Sequence, residues 1–327
     1  MAKYRVPELI PRIFGQNTGN DFGEKSNMTG KISLNMRGLI FRRPPMSHLL
    51  FDIKDNVATL TFNQPEKRNA YSPEMAVKLT QYLRDCDQDP EVRAVIITGK
   101  GDAFCVGLDL NDVRERGESE EPPSTHGHPT QRVLRTYPFQ ISKPVICAIN
   151  GSAGGFGAAY PLTCDIRLAA KEANIAFSFV KWGLIPEMGA TWLLPRLIGI
   201  EKTSDLLLTG RKVSGSEAAA MGLVLRAVPR MDLMGEANTL AREIAEGSSP
   251  TAVSIVKRMT WGRMQDEGEL YRAIYEDDDA IGWAIHGPDA AEGNKAFFEK
   301  RSANWVSVDP DTLPPFGKRN ANPFGNG

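Results

Sequence analysis

The segment Val145-Ile-Cys-Ala-Ile-Asn-Gly-Ser-Ala-Gly-Gly-Phe-Gly157 carries a strong fold signal. Its first five residues are all apolar and three are β-branched, which is typical of a strand buried on both faces of a sheet. The glycines after Asn150 predict a tight turn that opens a helix. Residues 92–98 show the same kind of strand pattern, and Gly107-Leu108-Asp109 forms a second glycine turn.

Two glycine turns of this kind have either a chemical or a purely structural use. Each can expose backbone N–H groups, and a helix N-terminus adds positive potential. If both turns face one point, they form a site for a developing oxyanion, where one donor lowers the barrier by about 2.7–4 kcal/mol. In the alternative, the glycines only let strands and helices pack closely. The spacing alone favours this structural alternative.

The composition is that of a globular protein, with 327 residues of which 41% are hydrophobic and 24% charged. A net charge of −1 provides no positive field for nucleic-acid phosphates. No apolar run reaches the roughly 18–20 residues that cross a bilayer, and no secretory signal is present. The four cysteines are too widely spaced for a zinc site or a disulfide framework. We therefore expect a cytoplasmic protein that binds no metal, nucleic acid or membrane.

The chain divides into four predicted parts. Residues 1–45 carry eight Lys or Arg against three Asp or Glu and show no hydrophobic period, which indicates a flexible N-terminal extension. Residues 46–250 form the core, residues 251–305 a C-terminal helical region and residues 306–327 a tail that frays. Within the core, residues 114–130 lack any aliphatic or aromatic side chain, as a mobile lid or a disordered loop does.

Individual elements follow from periodicity and capping. Alternating residues predict a strand over 55–63. Ser72 is an expected N-cap with Pro73 at the first helical position, and Ser214 begins a capping box. Two later segments, 231–246 and 252–264, have the spacing of amphipathic helices, so we expect the second half of the chain to be mainly helical.

Six motifs occur in a characteristic order: Asn63-Gln-Pro-Glu-Lys-Arg-Asn-Ala70, Ala103-Phe-Cys-Val-Gly-Leu-Asp109, Asn150-Gly-Ser-Ala-Gly-Gly-Phe-Gly157, Cys164-Asp-Ile166, Gly183-Leu-Ile-Pro-Glu187 and Glu292-Gly to Phe297-Phe-Glu-Lys-Arg301. Together they resemble the crotonase (enoyl-CoA hydratase/isomerase) superfamily over about residues 47–305. The resemblance implies an α/β fold, a spiral of ββα units with a C-terminal helical trimerisation region, assembled as a homotrimer or a dimer of trimers. It also implies an acyl-CoA thioester substrate, as in fatty acid metabolism, and no cofactor besides the coenzyme A of the substrate.

The same resemblance assigns roles to residues of the site. The N–H groups of Leu108 and Phe156 would polarise the thioester carbonyl, with Gly155 as the alternative donor because the family commonly has glycine at position 156. Lys67 and Arg68 would bind the nucleotide of CoA. Phe297 with Lys300 resembles a pair that reaches the adenosine, often from a neighbouring subunit. Further residues expected at the substrate site are Ala70, Ala103, Cys105, Gly107, Asp109, Phe179 and Trp182. In the alternative interpretation, Lys67, Arg68 and Lys300 are solvated charges on the protein surface.

The acid and base groups decide the reaction. The family positions that hold the two glutamates of a hydratase are Ala159 and Phe179 here, and neither can transfer a proton. Glu187 instead resembles the sole base of some Δ3,Δ2-enoyl-CoA isomerases, so isomerisation is the leading interpretation. Hydratase, lyase or hydrolase activity stays open. So does a catalytically silent acyl-CoA-binding or scaffold protein. Glu187 alternatively caps the helix near Ala190.

Several other polar residues have simple structural interpretations. Cys105 lies near the first glycine turn without an identified base, so we expect a core residue rather than a nucleophile. The acidic run at 276–279 is expected to be a solvated helix face or a subunit contact. Asp109 and Asp165 are expected to cap turns.

Overall fold

A computed structural model describes residues 48–108, 136–264 and 269–305. The predicted extension at 1–45, the polar loop at 114–130, Asp109 and the tail at 306–327 lie outside the described residues. Two sheets and a set of helices make up the described part of the chain.

The larger sheet has six strands in the spatial order β1-β2-β3-β5-β7-β10. Its strands are β1 (Leu49–Lys54), β2 (Val57–Phe62), β3 (Ala94–Gly99), β5 (Val145–Ile149), β7 (Ile166–Ala170) and β10 (Arg226–Val228). Strands β1 and β2 pair antiparallel, and every other neighbouring pair is parallel. Every residue of β5 is buried, which confirms the double-sided burial predicted from its unbroken apolar run.

The smaller sheet has four strands in the order β4-β6-β8-β9. They are β4 (Ala103–Cys105), β6 (Ser152–Gly154), β8 (Asn174–Ala176) and β9 (Lys212–Ser214). From β3 to β8, successive strands alternate between the two sheets, so the chain advances as a spiral. Because β4 and β6 are parallel, their carboxyl ends lie at one edge, and the two glycine turns follow those ends.

Helices cover the sheets and form most of the second half of the described chain. They are α1 (Pro73–Gln88), α2 (Phe156–Ala159), α3 (Ala190–Ile198), α4 (Ile200–Thr209), α5 (Gly215–Met221), α6 (Leu233–Gly247), α7 (Pro250–Met264), α8 (Glu269–Ile285) and α9 (Pro288–Phe298). Short 3₁₀ helices lie at Pro65–Lys67, Pro138–Gln140, Tyr160–Thr163, Ser178–Trp182 and Arg230–Asp232. Both predicted N-caps are confirmed, since Ser72 accepts from the Met75 N–H and Ser214 from the Glu217 N–H.

Asp165 joins a C-terminal helix to the larger sheet, and the expectation that it caps a turn is wrong. Its Oδ2 accepts from the Val145 N–H at 2.7 Å and pairs with Lys257 Nζ at 2.6 Å. Its Oδ1 accepts from Trp261 Nε1 at 2.7 Å. Lys257 is buried and also donates to the carbonyl oxygens of Pro138 and Lys143. The carboxylate thus ties α7 to the start of β5.

Replacing this carboxylate is expected to be costly. Asp165→Ala leaves the buried Lys257 ammonium without its counter-ion and two N–H groups without an acceptor. We expect the free energy of unfolding to fall by about 3–5 kcal/mol, measured by urea denaturation. Asp205→Ala, which removes an exposed partner of Arg211, is the matched control and should change stability little. Equal losses in the two variants would contradict the structural role given to Asp165.

Candidate active site

A cavity of about 820 Å³ opens beside the two glycine turns. The predicted site residues that line it are Lys67, Arg68, Ala70, Gly107, Leu108, Gly155, Phe156, Phe179, Trp182, Glu187 and Phe297. Ala103 and Cys105 lie behind its wall as fully buried residues of β4, and Lys300 is exposed outside it. The cavity therefore brings together residues that are far apart in the chain.

The first glycine turn holds the Leu108 amide in a fixed direction. Gly107 has φ +97°, and its carbonyl oxygen accepts from the Tyr71 N–H at 2.7 Å. This carbonyl and the Leu108 N–H belong to one planar peptide unit, and no described peptide bond is cis, so the two groups point in opposite directions. Within the described residues, nothing accepts the Leu108 N–H. It is available to a ligand.

The second turn likewise leaves the Phe156 N–H open while the carbonyl of the same peptide unit is bonded internally. The Gly155 carbonyl accepts from the N–H groups of Ala158 and Ala159, both at 3.0 Å, as α2 begins. The Phe156 N–H, on the opposite side of that peptide, is one of the donors that a helix N-terminus leaves open. The Gly155 N–H donates to the Ala176 carbonyl at 3.1 Å. It has no proton left for a substrate, which favours Phe156 over the alternative donor Gly155.

The two turns are in contact because both are built from glycine. A Cβ added to Gly107 would lie 3.0 Å from the Gly154 carbonyl oxygen, and one added to Gly155 would lie 3.8 Å from the Gly107 Cα. At Gly157 an added Cβ would meet the Cys105 carbonyl oxygen at 1.9 Å, which no real side chain tolerates. The glycines therefore serve close packing, and Leu108 and Phe156, which follow Gly107 and Gly155, line the same cavity.

Glu187 is a buried carboxylate in the wall of the cavity, with only 6% of its surface exposed. Two aromatic residues, Phe179 and Trp182, line the same cavity. Burial raises the pKa of the nearby Cys105 thiol to about 12, and the negative charge of Glu187 adds to that rise. Cys105 is therefore a protonated core thiol, as expected, and not a nucleophile.

The helix-capping alternative for Glu187 is not supported, because another residue holds the start of α3. The N-cap is Gly189, at φ +66°. In the first turn, the Thr191 hydroxyl donates to Asp277 Oδ1 at 2.7 Å, and the Thr191 backbone N–H donates to the same carboxylate. Asp277 lies on α8, which packs against the turn that carries Glu187. The carboxylate at this helix terminus is thus Asp277.

Asp277 corrects the expectation that the whole acidic run is a solvated face, since only 5% of the residue is exposed. The spacing of residues in the sequence indicates this burial, although the charge of the acidic run suggests exposure. Asp277 lies three residues after Ile274 and three before Ala280, and both neighbours are buried. Helical spacing therefore places Asp277 on the buried face of α8.

The cavity lining contains both cations and aromatic rings. Lys67 and Arg68 are exposed, and Arg68 Nη2 donates to Ser152 Oγ at 2.8 Å. The Phe297 ring of α9 packs on Trp182 of the same chain, with ring centroids 4.7 Å apart. Phe297 was expected to come often from a neighbouring subunit, but here it reaches the cavity of its own chain.

Several lining residues were not predicted. Ser152, Asn174 and Lys212 come from strands of the smaller sheet, and Ile285, Asn294 and Phe298 come from the C-terminal helices. Lys212 reaches the cavity because β9 pairs with β8, where it is opposite Ala176. Such contacts depend on strand pairing and helix packing, for which the spacing of residues in the chain gives no signal.

The alternating two-sheet spiral, with a cavity at two facing glycine turns, is the architecture of a crotonase-type α/β protein. The sequence model of the family described as "Enoyl-CoA hydratase/isomerase" matches residues 52–308. The chain belongs to this family, within the crotonase superfamily, and is an acyl-CoA enzyme.

Relatives in the family carry different activities in their names. A putative enoyl-CoA hydratase of Thermus thermophilus is 38% identical over 76% of this chain and 96% of its own length. The 1,2-epoxyphenylacetyl-CoA isomerase of Escherichia coli is 34% identical over 80% of this chain and 99% of its own. A solved enoyl-CoA hydratase/isomerase from Pseudoalteromonas atlantica superposes with a TM-score of 0.69 at 30% identity, covering 79% of this chain and 100% of its own.

Two negative observations apply to the described residues alone. No helix there is both long and apolar enough to span a membrane. No cluster of His, Cys, Asp or Glu in those segments has the arrangement needed to bind a metal ion.

Asp277 should give the protein a distinctive pH dependence. Burial raises its pKa to about 7, from 3.8 for an ordinary Asp, against the lowering effect of the Thr191 bonds. Because the folded state holds the proton more tightly, Asp277 stabilises the fold fully below about pH 4, and this contribution is lost as the pH rises to about 7.

The matching experiment compares Asp277→Asn with the original protein by urea unfolding at about pH 4 and about pH 8. Since Asn does not titrate, the variant should gain on the order of 2–4 kcal/mol relative to the original between these pH values. Asp279→Asn, at an exposed position on the same helix, is the control and should show no such gain. A pH-independent difference for Asp277→Asn would rule out the raised pKa.

Proposed function

We propose that this protein is an enoyl-CoA isomerase that moves a double bond from C3–C4 to C2–C3 of an acyl-CoA thioester. Glu187 acts as base and then as acid, and the N–H groups of Leu108 and Phe156 form the oxyanion hole. The observation that carries the proposal is a buried carboxylate in the wall of the cavity that also contains the two open amides.

The proposed reaction balances with one carboxylate and no cofactor beyond the CoA of the substrate. Glu187 takes a proton from C2 of the 3-enoyl thioester, and the electron pair spreads over the dienolate to the thioester oxygen. The two amides stabilise that oxygen, which becomes more negative as the proton leaves. Glu187 then returns the proton to C4, which leaves the double bond between C2 and C3. Only 6% of Glu187 is exposed, and this limited access of water suits a proton that must return to the substrate.

The residues at the two hydratase positions favour isomerisation over hydration. Ala159 is fully buried and does not line the described cavity. Phe179 lines it and places a ring where the family hydratases have a glutamate. Neither side chain can activate a water molecule. The carboxylates among the described lining residues are Glu187 and the exposed Glu66, which precedes Lys67 in the chain.

Two cations of the cavity lining support binding of the CoA nucleotide. Lys67 and Arg68 are exposed, and the bond from Arg68 to Ser152 Oγ holds the guanidinium beside the cavity. Arginine and lysine are the usual partners of phosphate groups. We therefore expect the phosphates of CoA to lie beside these two residues.

The test follows the conversion of a 3-enoyl-CoA to the conjugated 2-enoyl-CoA by ultraviolet absorbance. Glu187→Gln keeps the size of the side chain but removes the proton acceptor, so we expect kcat to fall by about 10²–10⁴-fold. Glu172→Gln, at an exposed position outside the cavity, is the matched control and should keep the original kcat.

Each other outcome identifies a different function. Unchanged turnover in Glu187→Gln would remove this residue from the mechanism. Hydration of a 2-enoyl-CoA without isomerisation of the 3-enoyl-CoA would favour the hydratase alternative, and release of free CoA would favour a hydrolase. Binding of acyl-CoA without any turnover would favour a silent binding protein.

A further inference from the structure

We infer that Tyr71 is a positioning residue that holds the two amides of the oxyanion hole in register. The inference rests on the proposed function, because it concerns the same pair of amides. Tyr71 directly follows the Asn69-Ala70 segment and is only 7% exposed. Its main chain contacts one glycine turn, and its ring contacts the residue that supplies the amide of the other.

The contact to the first turn is made by the backbone. The Tyr71 N–H donates to the Gly107 carbonyl at 2.7 Å, and Tyr71 forms a parallel bridge with Leu108. Because the Gly107 carbonyl and the Leu108 N–H share one rigid peptide plane, this bond sets the direction of the Leu108 N–H. A displacement of the Tyr71 backbone would therefore rotate the first donor.

The contact to the second turn is made by the ring. The rings of Tyr71 and Phe156 are stacked with centroids 3.7 Å apart and planes inclined by 21°. Phe156 also stacks on Tyr160, at 5.0 Å, and is only 2% exposed. The Phe156 side chain is thus held among aromatic rings, while its backbone N–H is the second donor. The family commonly has glycine at position 156. In this protein the position carries a phenylalanine ring, on which Tyr71 can stack.

Stacked aromatic pairs are favourable beyond the area that they bury, and they restrict the relative position of the two rings. In this protein the restriction acts between the segments that carry the two donors. A hydrogen-bond donor is most effective only when it is aimed at the place where charge develops, and small errors of placement reduce the rate strongly. Loss of the stacking should therefore affect kcat more than substrate binding.

The kinetic test compares Tyr71→Leu with Tyr71→Phe. Tyr71→Leu removes the ring, so we expect kcat for isomerisation to fall by about 10- to 100-fold while KM changes by less than about threefold. Tyr71→Phe keeps the stacked ring and should retain kcat within about threefold. Phe139→Leu is the matched control, since it removes another buried ring of a stacked pair, 5.2 Å from Trp261, at a position outside the cavity lining. It should lower thermal stability but leave kcat unchanged.

A spectroscopic measurement tests the inference without turnover. Hexanoyl-CoA, isotopically labelled at the thioester carbonyl, is bound to each protein, and the carbonyl stretching frequency is read by infrared difference spectroscopy. Two aimed donors should shift this frequency downward in the original protein and in Tyr71→Phe, and the shift should be smaller in Tyr71→Leu. If Tyr71→Leu does not fold, Phe156→Leu removes the same stacking from the other side and should give the same reduced shift.

The outcomes separate this inference from the proposed function. A full shift and full kcat in the folded leucine variant would overturn the role of Tyr71 and leave the isomerase proposal standing. No shift in the original protein would overturn the oxyanion hole, and the role of Tyr71 with it. A shift that depends on Tyr71, in a protein without isomerase activity, would support the positioning role and contradict only the reaction.

Discussion

The candidate site depends on one constraint, the close approach of two main-chain segments that follow parallel strands β4 and β6. Approach at this distance requires glycine, since a Cβ at Gly157 would lie 1.9 Å from the Cys105 carbonyl oxygen. Once the segments are in contact, their carbonyl groups are taken by internal donors, the Tyr71 N–H on one side and the first turn of α2 on the other. Planarity of the peptide then leaves the Leu108 and Phe156 N–H groups directed away from those bonds. The same packing that stabilises the fold therefore produces a pair of open donors.

Around these donors the cavity is lined by both charged and apolar side chains. The lining includes the exposed cations Lys67 and Arg68 as well as aromatic side chains, and Glu187 is buried in the wall. The turn that carries Glu187 is supported from behind by α8, whose Leu270 and Ile274 lie against Gly189 and whose Asp277 binds Thr191. The C-terminal helices thus contribute to the site twice, by lining the cavity through Phe297 and by supporting the segment that bears the carboxylate.

Much of this arrangement could be predicted from the sequence, and the rest depends on contacts distant in the chain. The buried strand at 145–149 and the caps Ser72 and Ser214 follow from local periodicity and hydrogen bonding, which act over a few residues. The motifs identify the crotonase superfamily, and the family match bears this out. Lys212 and Asn294 could not be predicted as lining residues, because β-strand pairing and helix docking place them. The burial of Asp277 was missed because charge suggested exposure, whereas packing decided it, and the role of Asp165 was missed because its partner Trp261 is distant in the chain.

The direction of the Phe156 side chain has a consequence for how such a protein can change over time. The N–H at this position is a main-chain group, whereas the side chain stacks on the rings of Tyr71 and Tyr160. Any residue at position 156 other than proline supplies the N–H, but only an aromatic side chain keeps the stacking, so one ring can replace another there. Its neighbour Gly157 has no such freedom, because a carbonyl oxygen occupies the space of any larger residue. Adjacent positions in one turn thus face different limits: the first needs a ring that fits a stack, and the second has no room for any side chain.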